Sequence, residues 1–328
     1  MNYSNSILDL IGNTPLVRIN RLNTNKRVLL LAKLEFMNPG GSVKDRIGLP
    51  MIERAEKQGE LQKGATIIEG TSGNTGVGLA MVSILRGYKN IFVMPDKQSE
   101  EKRNLLRAYG AQVVVTPTAV APEDPRSYYK VSDKLLKETP HAYKPDQYHN
   151  PANPKAHYQT TGPEIWEQTE GKITHLIAGM GTGGTISGIG KFLKKKNKNI
   201  KIIGVDPMGS VFTEYFKTRK VPKILTTYKV EGVGEDFLPS TIDFSLIDDV
   251  VQVSDQDSFE TARKLARKEA ILVGGSSGMA LYGALQVIKK LKKGVAVVIL
   301  PESGRNYLTK FFSDDWMQKN GFTIEKEQ

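Results

Sequence analysis

Short, almost continuous apolar runs alternate along the chain with longer stretches in which apolar positions recur at helical spacing. "VLLLAKLE" (28–35), "ATIIEG" (65–70), "NIFVMP" (90–95) and "AQVVVTP" (111–117) are predicted strands, each followed by a helix or loop. A second series comprises "HLIAGM" (175–180), "IKIIGVDP" (200–207), "DDVVQVS" (248–254) and "VAVVILPESG" (295–304). Strands this uniformly apolar, alternating with helices, imply parallel sheets covered on both faces, and two series imply two α/β domains. The stretch between them, 140–164, is rich in Pro, Asn, Tyr and His and is the predicted crossing, with polar side chains toward a cleft. A helix is predicted through "VKDRIGLPMIERAEKQG" (43–59), with Ser42 as N-cap after the breakers Asn38, Pro39, Gly40 and Gly41. Lys44 then falls in the first turn, at the positive end of the helix dipole, where a cation is disfavoured by roughly 0.3–1 kcal/mol. Why a lysine stands there needs an explanation.

Composition narrows the classes. The 328 residues are 39% apolar and 25% charged, an ordinary globular balance. No apolar run approaches the roughly 20 residues that span a bilayer. "MNYSNSILDLIGNTP" has no basic stretch leading into a long apolar one, so a soluble cytoplasmic protein is expected. The absence of cysteine excludes disulfides, thiolate metal sites and cysteine nucleophiles. His141, His149, His157 and His175 form no metal-binding motif, so no metal is expected. The formal charge is +11, concentrated in "KKLKKG" (289–294) and "KFLKKKNKNIK" (191–201). Both lie at the ends of helical patterns, where cations suit the dipole, and no aromatic residues are interleaved, so nucleic acid is not the expected partner.

Ligands of open parallel sheets bind beyond the carboxyl ends of the strands, and three loops there are rich in Gly, Ser and Thr. In "GMGTGGT" (179–185), Gly179, Gly181 and Gly184 fit the dinucleotide glycine pattern, and Asp206 follows at the end of the next strand. An NAD-binding oxidoreductase is therefore a reading to weigh. Thr182 and Thr185, however, add hydroxyls to the backbone amides, which suits a terminal phosphate better than a bridging pyrophosphate. "GGSSG" (274–278) matches a hydrolase nucleophile turn, but no histidine follows it, and that order excludes the reading. "EGTSGNTG" (69–76) offers Thr71, Ser72, Asn74 and Thr75 at a helix start, a nest for a second anion such as a carboxylate. A phosphate loop, a carboxylate loop and an unusual lysine together fit pyridoxal phosphate, a phosphorylated aldehyde that bonds lysine as a Schiff base.

"NPGGSVKDR", "EGTSGNTG", "GTGGTISG", "GVDP", "GGSSG" and "PESGRNYLTKFFSDDWM" together resemble the fold-type II pyridoxal-phosphate enzymes of the cysteine synthase and cystathionine β-synthase group. The resemblance runs from "IGNTPLVRIN" (11–20) to Met317. "DQYHNPANPKAHYQTTGPEI", "EGVGEDF" and the C-terminal motif are more similar to the catalytic core of cystathionine β-synthase. It implies two parallel-sheet α/β domains of the tryptophan synthase β-like type: a smaller mobile one over 43–148 and a larger cofactor-binding one over 1–42 plus 149–328. It also implies roles. Lys44 is the Schiff-base lysine and proton carrier, and Asn74 bonds the cofactor's ring hydroxyl. Gly181, Thr182, Gly183, Gly184 and Thr185 cradle its phosphate, while Ser303 faces its ring nitrogen. Thr71, Ser72, Thr75 and Gln147 hold the substrate carboxylate, with Tyr148 near the cofactor.

The implied reaction is β-replacement on serine or O-acetylserine with homocysteine, giving cystathionine in transsulfuration. Cysteine synthase, using O-acetylserine and sulfide, is the alternative, and a dehydratase of the same fold type is a further one. Glu235 departs from the pattern: animal cystathionine β-synthases resemble "GIGYDF" here, and cysteine synthases carry a small residue. Glu235 and Glu231 are thus candidates either to recognise the amino group of homocysteine or to be solvated loop acids. The chain as given shows no haem-binding extension and no C-terminal regulatory pair, so haem and activation by S-adenosylmethionine are not expected. A homodimer is the resemblance's expectation for assembly.

Overall fold

The computed structural model describes residues 1, 3–121, 123–222 and 224–325. The first half contains β1 (Leu16–Arg18), β2 (Val28–Leu34), α1 (Asp45–Gln58), β3 (Thr66–Gly70), α2 (Asn74–Arg86), β4 (Lys89–Pro95), α3 (Glu100–Ala108) and β5 (Gln112–Thr116). Then come α4 (Tyr128–Glu138), β6 (Ala142–Tyr143), α5 (Ala152–Gln159), α6 (Thr161–Gln168), β7 (His175–Gly179), α7 (Gly184–Lys196) and β8 (Lys201–Pro207). The chain continues through α8 (Val211–Thr218), β9 (Asp249–Val253), α9 (Asp255–Glu269), α10 (Gly275–Lys289), β10 (Gly294–Leu300) and α11 (Asp314–Lys319).

A six-stranded sheet has the order β1-β2-β10-β7-β8-β9, parallel except for the antiparallel edge strand β1. A four-stranded sheet has the order β5-β4-β3-β6, parallel throughout. The apolar runs reflect burial on both faces. In β10, Ala296, Val298 and Leu300 join the core built with α9 and α10, while Val297 and Ile299 join the one built with α6 and α7. That is the two-residue period of a strand between helical layers. Ile67, Phe92 and Met94 of the smaller sheet pack against apolar residues of α1, α2 and α3.

The strand at 28–34, grouped with the leading series by its apolar run, pairs with β10 in the larger sheet. Two edge strands, β1 and β6, are too short for an apolar pattern to announce them. Ser42 is not the N-cap of α1, because residues 42 and 43 run beside the end of β10. Ser42 bridges Glu302, and Val43 N–H donates to the Pro301 carbonyl at 2.8 Å. The helix starts only at Asp45, with Lys44 in the cap position and its N–H donating to Ser42 Oγ at 3.2 Å. The 140–164 stretch carries β6 and then α5, which packs on both α1 and α7. Among the described residues, no helix is long and apolar enough to cross a membrane.

Candidate active site

The carboxyl ends of both sheets open onto one cavity of about 550 Å³, lined by Lys44, Ser72, Gln147, Tyr148, Thr182 and Glu235 among others. A small recess of about 30 Å³ adjoins it, sharing Lys44 and Thr182 and lined also by Gly181, Gly183 and Thr185. Among the described residues, no acidic side chain lines that recess. Lys44 therefore stands where the recess and the large cavity meet. Burial pulls its ammonium below the ordinary lysine range; Glu302 and Glu235 oppose this and Lys102 adds to it.

The recess lies at the start of α7. Gly183 has φ +84°, and a Cβ there would come within 2.3 Å of Ile242. A Cβ on Gly184 would stand 1.9 Å from Asn153 Oδ1. The loop thus presents bare backbone at a helix N-terminus, the arrangement that binds phosphate. Asn153 Nδ2 donates to Thr182 Oγ1 at 3.1 Å, Thr241 Oγ1 donates to the Thr182 carbonyl, and Thr185 Oγ1 lies 3.2 Å from His157 Nε2. His157 is fully buried, and burial, with Arg46 and Lys44, holds it well below the ordinary histidine range. A neutral imidazole therefore braces the loop. Asn153, His157 and Thr241 were not singled out from sequence, although the first two lie in the polar crossing stretch.

In the 71–75 loop, Thr71 Oγ1 accepts from Gly73 N–H at 2.9 Å, and Thr75 Oγ1 donates to Gln147 Oε1 at 2.6 Å. Ser72 lines the cavity. Gln147 and Tyr148 are brought to this loop by Glu69, whose carboxylate accepts from the N–H groups of Asp146 and Gln147 at 2.9 and 3.0 Å. Burial pushes the Glu69 carboxyl up to about 7, against those two hydrogen bonds. Tyr148 OH lies 3.1 Å from Tyr128 OH on the cavity wall.

Behind the loops lies a buried charge network. Glu302 accepts from Asn74 Nδ2 at 2.7 Å, Tyr307 OH at 2.6 Å and Ser276 Oγ at 3.1 Å, and it pairs with Lys102 at 3.2 Å. Burial raises the Glu302 carboxyl, yet Lys102 and these donors outweigh it and hold the group below the usual range. Asn74 is therefore fixed by Glu302 and does not line the large cavity. Ser303 lines neither cavity; its Oγ accepts from Arg305 N–H at 3.3 Å, and its N–H donates to the Gly41 carbonyl, next to the Lys44 loop. The serine motif 274–278 serves Glu302, which explains its presence without a nucleophile.

The two loop acids separate. Glu231 is buried in ion pairs with Lys102 at 3.2 Å and Lys310 at 2.6 Å and does not line the cavity, so it is neither a solvated acid nor a free recogniser of an amino group. Glu235 does line it. Its carboxyl is pushed up to about 8 by burial, with Asp236 adding and Lys97, Tyr148 and Lys44 opposing. Asp206, the acid of the dinucleotide pattern, is buried at the start of α8, where its Oδ2 accepts from Thr213 N–H and Oγ1 at 2.9 and 2.7 Å. It has no ribose-facing surface. Lys97, Tyr129 and Tyr228 also line the cavity and were not singled out; Lys97 lies two residues beyond the end of β4, in the kind of position that marked the other loops. Among the described residues, no three His, Asp or Glu side chains could hold a metal ion.

The recess, the lysine at its mouth and the bare glycine loop fit a phosphorylated aldehyde. Residues 7–302 match the family described as pyridoxal-phosphate dependent enzyme. The chain is 48% identical over 318 residues to cystathionine beta-synthase of Dictyostelium discoideum, covering 97% of this chain and 63% of that one. It therefore spans about 63% of the length of that curated relative. A solved O-acetylserine dependent cystathionine beta-synthase from Helicobacter pylori is 38% identical, with a TM-score of 0.86 over 94% of this chain and 99% of that one. A hydrogen sulfide-producing enzyme from Fusobacterium nucleatum is 41% identical, with a TM-score of 0.86 over 93% of this chain and 100% of that one. The chain belongs to the pyridoxal-phosphate dependent enzyme family, and pyridoxal phosphate is its cofactor.

Proposed function

We propose that this chain carries out β-replacement, joining the three-carbon skeleton of serine or O-acetylserine to the sulfur of homocysteine to give cystathionine. The observation that supports it most is that Lys44, Ser72, Gln147 and Glu235 all line one cavity of about 550 Å³. The names of the Dictyostelium and Helicobacter relatives point the same way.

Pyridoxal phosphate, when bound, supplies an electron sink for bonds broken at the substrate's α-carbon. In this reading Gly181, Thr182, Gly183, Gly184 and Thr185 hold its phosphate and Lys44 its aldehyde carbon, while Asn74 and Ser303, which line neither cavity, would have to turn toward its ring. Thr71, Ser72, Thr75 and Gln147 hold the donor's carboxylate, with Tyr148 beside it. The Lys44 amine takes the α-proton and later returns a proton to the same carbon. Its lowered pKa keeps more of it in the free-base form that this transfer requires. The donor's β-substituent leaves as water or acetate, and the thiol sulfur takes its place. Glu235 receives the ammonium of homocysteine. Residues 43–148 are the unit whose closure would exclude water. A cytoplasmic homodimer completes the reading; Ile84 and Leu85, adjacent on α2 and about half exposed (50% and 55%), are apolar surface such a contact would cover.

The test is a product assay by mass spectrometry on the cofactor-loaded protein, given serine or O-acetylserine, each with homocysteine or sulfide. Cystathionine as the main product, lost in Lys44→Ala, is the expected outcome. Cysteine formed only from O-acetylserine and sulfide would move the chain to cysteine synthesis. No product in any mixture would overturn both.

A further inference from the structure

Among the described residues, two cations line the 550 Å³ cavity, Lys44 and Lys97. Lys44 is committed to the proton. Lys97 follows β4, and its backbone is pinned at both ends: its N–H donates to Thr118 Oγ1 at 3.2 Å, and its carbonyl accepts from Lys310 Nζ at 2.6 Å. Its side chain is not pinned in this way. Nζ sits 4.9 Å from the ring centroid of Tyr228 and makes no ion pair among the described residues. Glu235 and Asp236 line the same cavity, and the charge of Lys97 acts on both. Glu235 is held from behind, its N–H donating to Ser210 Oγ at 3.2 Å. Asp236 Oδ1 accepts from Tyr129 OH at 3.2 Å.

Among the described residues, this part of the cavity therefore offers one cation without an ion pair and two acidic side chains, whose buried carboxyls an incoming ammonium would hold in the ionised form, the complement of an amino-acid zwitterion. The loop proposed for the donor's carboxylate, 71–75 with Gln147, uses neutral groups only, so Lys97 is not needed there. Sulfide has neither carboxylate nor ammonium and has no use for such a pair. A volume of about 550 Å³ is also within the roughly 300–1,000 Å³ of pockets that hold sizeable small molecules.

We propose that Lys97 binds the carboxylate of the incoming thiol amino acid while Glu235 and Asp236 take its ammonium, so that Lys97 selects an amino-acid thiol over sulfide. This rests on the β-replacement reading above. The pinned backbone and flexible stem let Lys97 act as a positioned point charge, and the Tyr228 ring face beneath it adds a cation–π contact that keeps the side chain on the wall.

The experiment compares wild type, Lys97→Ala and Lys97→Arg holoenzymes with one donor and three thiols: homocysteine, 3-aminopropane-1-thiol, which is homocysteine without its carboxylate, and sulfide. A hydrogen bond to a charged group is worth enough to make the effect about ten- to a hundredfold. The ratio of kcat/KM for homocysteine to that for sulfide should fall by that factor in Lys97→Ala, through KM, and be largely restored in Lys97→Arg. The carboxylate-free thiol should be used equally poorly by wild type and Lys97→Ala, because the two deletions remove the same interaction. An unchanged ratio, or equal loss for homocysteine and the carboxylate-free thiol, overturns the assignment and leaves β-replacement standing. A wild type that makes no cystathionine overturns both.

Discussion

Glu231 and Glu235 lie four positions apart in one loop, yet one is locked in ion pairs and the other faces the cavity. Gly232 and Gly234, at φ +77° and +72°, turn the chain between them, and no side-chain pattern announces which way such a turn aims its neighbours. Lys44 was legible for the opposite reason, since a lysine at a helix start contradicts the dipole and invites explanation. The Glu235 carboxyl is pushed up to about 8 from 4.5, so between those values the unfolded chain releases a proton that the folded chain keeps. Folding stability from this group therefore falls as pH rises through that window and stays lost above it. Glu235→Gln, which cannot ionise, should flatten that decline by on the order of a few kcal/mol. Urea unfolding midpoints at pH 5 and pH 8.5, compared with wild type, check the sign. A decline as steep as wild type's would show that Glu235 is ionised in the folded protein at neutral pH.

At the scale of elements, the strands buried on both faces were readable because each presents an unbroken apolar run. The three- and two-residue edge strands had no run to show. Sheet membership was harder: β2 lies beside β10, 266 residues later by first residue, through pairings such as Val28 with Gly294. Helix contacts were also hidden. A Cβ on Gly78 of α2 would stand 2.7 Å from the Lys44 carbonyl, and one on Gly48 of α1 would stand 2.4 Å from the Gly78 carbonyl. These two glycines let α1 and α2 approach closely, and that approach sets where Lys44 enters the cavity. Gly78→Ala should thus cost about 1–3 kcal/mol through overpacking and displace Lys44. Thermal unfolding and the visible absorbance of bound pyridoxal phosphate measure the two effects separately. Gly190→Ala in α7 is the contrast: its nearest neighbours would be Ile202 carbons at 3.5 Å, an ordinary contact. It should leave that absorbance intact and stabilise by about 0.4–1 kcal/mol.

At the scale of the whole molecule, the site exists only because loops from both sheets share one cavity, and Lys102 helps to hold them there. It extends from α3, beside the smaller sheet, to Glu231 in the connection between α8 and β9 and to Glu302 just after β10, both part of the larger sheet's layer, at 3.2 Å to each. These partners are 129 and 200 residues away in the chain, so no local pattern could reveal them. Lys102 is all but fully buried, as are both carboxylates. Burial alone would depress its pKa, but Glu302 and Glu231 reverse that and hold it charged. Lys102→Met would leave Glu302 without its cation and Glu231 with Lys310 alone, at a cost of about 3–5 kcal/mol. Glu302→Gln made alone leaves Lys102 paired with Glu231 and should cost less. In the double variant the carboxylate that lost its cation is gone, so its cost should fall short of the sum of the singles. Chemical denaturation of the four proteins yields that coupling energy. Strict additivity would mean that Lys102 and Glu302 act independently, and the tie between the two sheets would then have to come from α5 packing on α1 and α7.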